Sequence, residues 1–149
     1  MHFKLVTPER TVFQEDGVLS VTLPTSEGEI TILPGHIPLV AKLKPGVALL
    51  KLAGGKEEDV AVSGGFIQVT LGDKIKVLAD TAERGAELSL EVIEAAKLRA
   101  EVLMKENIAS NDVQFAHVVA QLERELARYK TAIKYAKRRS NTVPNPNAK

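Results

Sequence analysis

The chain has 149 residues, 44% of them apolar, with 20 Lys+Arg against 19 Asp+Glu and no cysteine. One domain of this size buries about 70% of the surface its unfolded chain exposes, so it needs no covalent staple. The lack of cysteine removes disulfides, thiolate nucleophiles and zinc-thiolate centres together, and a net charge of +1 gives no overall pull toward nucleic acid or membrane.

The start, MHFKLVTPER, lacks the apolar core of a signal peptide, and no run of about 18 apolar residues exists to cross a bilayer as a helix. From Phe3 to Leu78 the chain is a series of short β-type runs: FKLV, TVFQ, VLSVTL, EITIL, LVAKL, VALLKL, VAVSGGFIQVTL and KIKVLA. Lys74-Ile75-Lys76-Val77 alternates cleanly, as a strand with one wet face does. Turn residues punctuate the runs at Glu15-Asp16-Gly17, Ser26-Glu27-Gly28, Ala53-Gly54-Gly55 and Leu71-Gly72-Asp73. Pro34-Gly35 and Pro45-Gly46 predict two chain reversals around the strand Leu39 to Leu43, and Ser63-Gly64-Gly65 predicts a bulge or bend. No segment is long enough for a crossover helix, so residues 1–84 predict a β-sandwich or flattened barrel.

After Gly85 the period becomes helical. Ser89 is a good N-cap, with Glu91 in the first turn, and Ile93, Ala96, Ala100 and Leu103 form one apolar stripe. NIASND, from Asn107 to Asp112, predicts a break and a hinge. Beyond it Phe115, Val119, Leu122, Leu126, Tyr129, Ile133 and Ala136 step by 4 and 3, a seam that needs a partner. Two amphipathic helices joined by a short polar link, with alanines at 95, 96, 100, 116, 120 and 127, predict an antiparallel hairpin over 85–140. The remainder, 141–149, with two prolines and three asparagines, predicts a disordered tail. The whole is all-β plus α: a sandwich followed by a two-helix hairpin.

Residues 1–80 carry a charge of −2 and residues 81–149 carry +3. Arg124, Arg128, Lys130, Lys134, Lys137, Arg138 and Arg139 lie on the second helix with only Glu123 and Glu125 beside them, which points to an acidic partner. A nucleic-acid reading would want stacking aromatics there, and only Tyr129 and Tyr135 are near. His2, His36 and His117 fall in a terminus, a turn and a helix with no metal-ligand spacing, and neither a phosphate loop nor a nucleophile elbow is present. Glu27 and Glu29 flank a turn and read as solvated rather than as an acid/base pair. The residues point to no enzyme and no metal. A stand-alone β-sandwich ligand-binding module with a helical oligomerisation hairpin also fits this pattern.

SEGEITILPGHIPLVAKLKPG (Ser26 to Gly46), SGGFIQV (Ser63 to Val69) and VLADTAERGAELS (Val77 to Ser89) together resemble the epsilon subunit of rotary F-type ATP synthases of bacterial type. The resemblance implies a noncatalytic central-stalk part of a proton- or sodium-translocating complex, peripheral on the cytoplasmic face of the cell membrane. Its sandwich would dock on gamma and the c-ring, with Glu29, Leu33, Pro34, Gly35, His36 and Pro38 at the rotor interface. Its hairpin would fold on the sandwich or extend along gamma and inhibit ATP hydrolysis, with Arg124, Arg128, Lys130, Lys134, Lys137 and Arg138 meeting the catalytic beta and alpha subunits. Some members bind ATP between sandwich and hairpin. Glu83 and Arg99 match positions of that site, but Ser89 and Val92 stand where those members carry Asp and Arg, so the resemblance implies weak or absent ATP binding and no cofactor.

Overall fold

The computed structural model describes residues 1–106 and 112–142. Most of the expected hinge, 107–111, and of the expected tail, 143–149, lies outside the described residues. The ten strands are β1 (His2–Val6), β2 (Thr11–Glu15), β3 (Ser20–Thr25), β4 (Gly28–Ile32), β5 (Leu39–Leu43), β6 (Gly46–Lys51), β7 (Glu57–Val62), β8 (Gly65–Thr70), β9 (Lys74–Ala79) and β10 (Ala82–Arg84). They hydrogen-bond in the order β10-β7-β6-β3-β5-β8-β9-β1-β2, with β4 on the other edge of β3. The pairs are antiparallel except β1 with β9.

Alternation decides what the sheet encloses. Ile67 and Val69 of β8, Ile75 and Val77 of β9, Phe3 and Leu5 of β1 and Ala48 and Leu50 of β6 point inward into one apolar core. The two ends of the path are not paired with each other. They meet through side chains: the Arg84 guanidinium lies over the Phe13 ring, 5.2 Å from its centroid, and Arg84 Nε donates to Glu58 Oε1 at 2.6 Å. The result is a nearly closed, flattened barrel.

The two Pro-Gly pairs turn out to be different devices. At Pro34-Gly35, His36 N–H donates to Leu33 O at 3.2 Å and Gly35 has φ 81°, the expected tight turn. At Pro45-Gly46 the chain does not reverse, because β5 and β6 both run antiparallel to β3. Thr25 pairs with Leu43 and Thr22 with Leu49, so three steps along β3 face six along its partner. The surplus forms a corner at Lys44-Pro45 where one strand passes from one sheet to the other. Glycine is needed there for space, since a Cβ on Gly46 would stand 2.8 Å from Pro24 Cβ. That clash comes from a residue distant in sequence, which is why local turn chemistry misread the site.

The expected bend at Ser63-Gly64 is present, and it is a second such corner. β7 pairs with β6 and β8 with β5, so the chain keeps its direction through Ser63-Gly64, and β9 passes into β10 likewise at Asp80-Thr81. These two corners are bonded together: Ser63 N–H donates to Thr81 O at 3.0 Å, Asp80 N–H to Gly64 O at 2.8 Å, and Thr81 N–H to Ser63 Oγ at 2.8 Å.

Behind the sandwich lie α1 (Leu90–Glu106) and α2 (Asp112–Thr142). Ser89 stands at the cap position, with its carbonyl accepting from Ile93 N–H at 3.1 Å. α2 is longer than the hairpin expected to end at 140, because Asn141 and Thr142 continue it. The two helices pack on each other, and α2 also packs on β6, β7 and the 3-10 turn Gly85–Glu87.

The seam of α2 is only half of its packing. Phe115, Val119, Leu122, Leu126 and Tyr129 are half-buried, Ile133 remains 41% exposed and Ala136 is exposed, whereas the buried residues of α2 are Val118, Glu125, Ala127, Thr131 and Ala132. A helix held between two neighbours buries the flank between them most deeply. The seam serves α1, where Lys97 Nζ sits 4.8 Å from the centre of the Tyr129 ring. A second stripe, Arg128, Tyr135 and Arg138, faces the sandwich.

Candidate functional site

The first candidate surface is the outer face of β5, β8 and β9; among the described residues the main contacts of α2 with the sandwich are on β6 and β7 instead. Inward alternation on these strands forces Val40, Phe66 and Leu78 outward, and they are 71%, 56% and 44% exposed. Phe66 and Leu78 are directly paired across β8 and β9, and Lys42 pairs with Phe66 on the other side. Adjoining Val40 in sequence, the loop 33–38 exposes Leu33 and Ile37. This loop is fastened to the β8–β9 turn, where Gly35 N–H donates to Asp73 Oδ1 at 2.7 Å and Asp73 adopts φ 56°. Contiguous exposed apolar side chains with lysines beside them suit a protein-docking face.

His36 belongs to this loop as a structural element. Its ring is half-buried, and Nδ1 lies 2.7 Å from Ile37 O, so Nδ1 carries the proton and donates. Among the described residues no group of three or more metal-capable side chains exists. The expected rotor set divides in space. Leu33, Pro34, Gly35, His36 and Pro38 stay together, but Glu29 sits at the other end of β4, in a groove shared with Lys44, Tyr129, Lys130 and Lys134 between sandwich and α2.

The second candidate surface is the contact between α2 and the sandwich. Arg128 holds Glu83 Oε2 through Nε and Nη2 at 3.2 and 3.1 Å and Glu125 Oε2 through Nη1 at 2.9 Å. Arg138 meets Glu57 Oε2 at 2.8 Å and Asp59 Oδ2 at 2.6 Å. The acidic partner that the charge pattern asks for is therefore present within the chain, on β7 and β10. Lys130, Lys134 and Arg124 stay exposed, Arg124 in a cleft with His117, Asp80 and Thr81. Of the two residues expected for a nucleotide, Glu83 is engaged by Arg128 and Arg99 stands exposed on α1.

Close approach makes this contact possible. A Cβ on Gly85 would stand 2.9 Å from Tyr135 Cβ and 3.3 Å from Asp59 O, so only glycine lets the helix lie so near. Thr131 is fully buried and satisfies its hydroxyl by donating to Ala127 O at 2.9 Å. Asp59 is 2% exposed, and burial pushes its carboxyl above the ordinary value of 3.8, with Arg138 and Lys134 opposing. A carboxyl raised in the docked state takes up a proton on docking, so its contribution is full below 3.8 and is lost as pH rises through the raised value. Relative to Asp59→Asn, protection of α2 against hydrogen exchange should therefore increase as pH falls from neutrality toward about 4. Parallel pH profiles of the two proteins would contradict this.

These features define a β-sandwich with one open apolar face and one face closed by a helical hairpin. Residues 1–85 match the family described as ATP synthase, Delta/Epsilon chain, beta-sandwich domain. The chain is 39% identical over 132 residues to the ATP synthase epsilon chain of Moorella thermoacetica, covering 89% of this chain and 96% of that one. It is 43% identical over 128 residues to that of Desulforamulus reducens, covering 86% and 93%. The chain belongs to the ATP synthase epsilon chain family. In fold it is similar to a chain in the mitochondrial ATP synthase of Euglena gracilis (OSCP/F1/c-ring, rotational state 1), with a TM-score of 0.73, 22% identity and coverage of 91% and 79%. It is also similar to one in the central stalk/c-ring of the Tetrahymena thermophila enzyme, with a TM-score of 0.59, 17% identity and coverage of 88% and 95%.

Proposed function

We propose that the chain is a noncatalytic central-stalk subunit that joins the gamma subunit to the c-ring of a proton- or sodium-translocating ATP synthase, peripheral on the cytoplasmic face of the cell membrane. The observation that carries this reading, beside family membership, is the uncovered face bearing Val40, Phe66 and Leu78 with the fastened loop 33–38 next to it. Gamma fits that face, because an apolar patch with a rigid edge favours a preorganised contact. The groove holding Glu29 is a second contact, suited to the polar loops of the c-ring. Passing rotation from ring to catalytic head needs stiffness and no bond chemistry.

The hairpin acts on this reading as an inhibitor of ATP hydrolysis. In the docked state Arg128 and Arg138 are occupied by Glu83, Glu57 and Asp59; when the hairpin extends, the same cations meet acidic segments of the beta and alpha subunits. Deleting residues from Ser89 onward should leave copurification with gamma and the c-ring intact and raise the ATPase activity of the reconstituted complex. Unchanged ATPase would remove the inhibitory role, and loss of copurification would remove the docking face from the sandwich. ATP is not a strong effector here, since Ser89 and Val92 supply neither the carboxylate nor the guanidinium of the nucleotide-binding members. Calorimetric titration should accordingly give no micromolar isotherm.

A further inference from the structure

We propose that Asp59 is a charge gate for α2: the helix can cover this carboxylate only while Arg138 answers its charge, so an acidic partner that takes Arg138 also lifts the helix. This rests on the reading of the hairpin as a mobile inhibitor and supplies what couples its release to its target.

Four charged side chains act on Asp59. Glu57 and Glu58 stand on its own strand, and Lys134 and Arg138 come from α2. Glu58 is already held by Arg84 at 2.6 Å, and Lys134 acts on Asp59 through its charge, while the direct ion pair is that of Arg138. Arg138 forks between Asp59 and Glu57, so one guanidinium serves two carboxylates. With Tyr135 pressed on Gly85 beside the Asp59 carbonyl, α2 excludes water from this carboxylate. A desolvated charge that loses its countercharge is strongly unfavourable, and the simplest relief is to restore water by moving the helix.

The two arginines differ in what they keep after release. Arg128 retains Glu125 on its own helix when Glu83 is lost. For Arg138 the sequence offers no Asp or Glu after Glu125, and its charged neighbours on α2 are Lys134, Lys137 and Arg139. The carboxylates that hold Arg138 in the docked state, Glu57 and Asp59, are those of the sandwich, and its departure uncovers Asp59. Seizure of Arg138 and exposure of Asp59 become a single event.

The test is hydrogen exchange of α2 amides in the full chain, with β8 and β9 amides as the folding control. Arg138→Gln should raise α2 exchange about tenfold or more at neutral pH, because Asp59 beneath the helix then keeps only the charge of Lys134 opposite it. Asp59→Asn should not raise it, and the double variant should return to within about twofold of wild type, since a neutral Asn needs no countercharge. A short oligoglutamate peptide should raise α2 exchange in the wild type and have little effect on Asp59→Asn. Wild-type exchange in Arg138→Gln, a double variant as open as Arg138→Gln, or equal peptide effects on wild type and Asp59→Asn would each overturn the gate. These readouts use the isolated chain, so they stand apart from the ATPase assay: an unchanged ATPase on hairpin deletion would refute the inhibitor reading alone.

Discussion

Replacing Gly65 by Ala is expected to be among the most damaging single changes in the sandwich, costing about 3 kcal/mol or more. Gly65 opens β8 at φ 148°, and a Cβ there would stand 2.0 Å from Leu78 O and 2.9 Å from Ala79 Cα. Both obstacles are backbone of β9, the strand to which β8 is paired, so relief requires moving the ladder itself. Denaturation in urea should show a midpoint lower by about 1 M or more, given the usual dependence for a small domain. Gly54 is the comparison: its φ of 76° is also positive, but nothing lies within 4 Å of an added Cβ. Gly54→Ala should cost only about 1 kcal/mol, the conformational part alone. Similar midpoints for the two variants would show that the backbone contact at Gly65 is not what makes glycine necessary.

Replacing Gly85 by Val should have a large effect of another kind, lifting α2 while leaving the sandwich folded. The branched side chain would enter the space of Tyr135 Cβ at 2.9 Å and Cγ at 3.2 Å. Overpacking of this sort costs about 1–3 kcal/mol, which corresponds to roughly a 5- to 150-fold rise in local opening. Hydrogen exchange should report that rise in α2 but not in β8 or β9. On the proposed inhibitory reading, the variant in the reconstituted complex should hydrolyse ATP more slowly, because a released hairpin would be free to inhibit. Tyr135→Ala in the same chain removes the Cγ contact at 3.2 Å but keeps the Cβ contact at 2.9 Å, so it should recover the docking only in part. Exchange that rises equally in helix and sandwich would mean that Gly85 supports the β fold and not the helix contact.

What the sequence made legible was whatever depends on near neighbours. Alternation located the strands, because a half-buried strand writes its burial every second residue, as Lys74 to Val77 do. The 4,3 stepping from Phe115 to Ala136 located the α1-facing seam for the same reason. The sandwich-facing stripe of α2 was illegible as packing, since Arg128, Tyr135 and Arg138 register as solvated residues until Glu83, Gly85, Glu57 and Asp59 are placed opposite them. The cations are legible in the sequence and their acidic partner within the chain is not, because nothing local links position 138 to position 59. Gly46 was misread for a similar reason: its constraint is Pro24, and a Pro-Gly pair carries the same local signal whether it turns the chain or clears a passage. Glu29 and His36 join one rotor set only through the resemblance, and β4 separates them, with Glu29 near its start and His36 beyond its end.

The corners at Lys44-Pro45, Ser63-Gly64 and Asp80-Thr81 have a mechanical consequence. Three strands cross between the sheets without interruption, so a load applied to one sheet reaches the other along covalent bonds and not only through side-chain packing. Force entering at loop 33–38 passes into β5 and around the first corner into β6, beneath α2. Shearing the sheets past each other would mean straightening all three corners at once. On the proposed reading the sandwich is therefore a stiff shaft coupling, and movement of the hairpin would not soften its line of transmission.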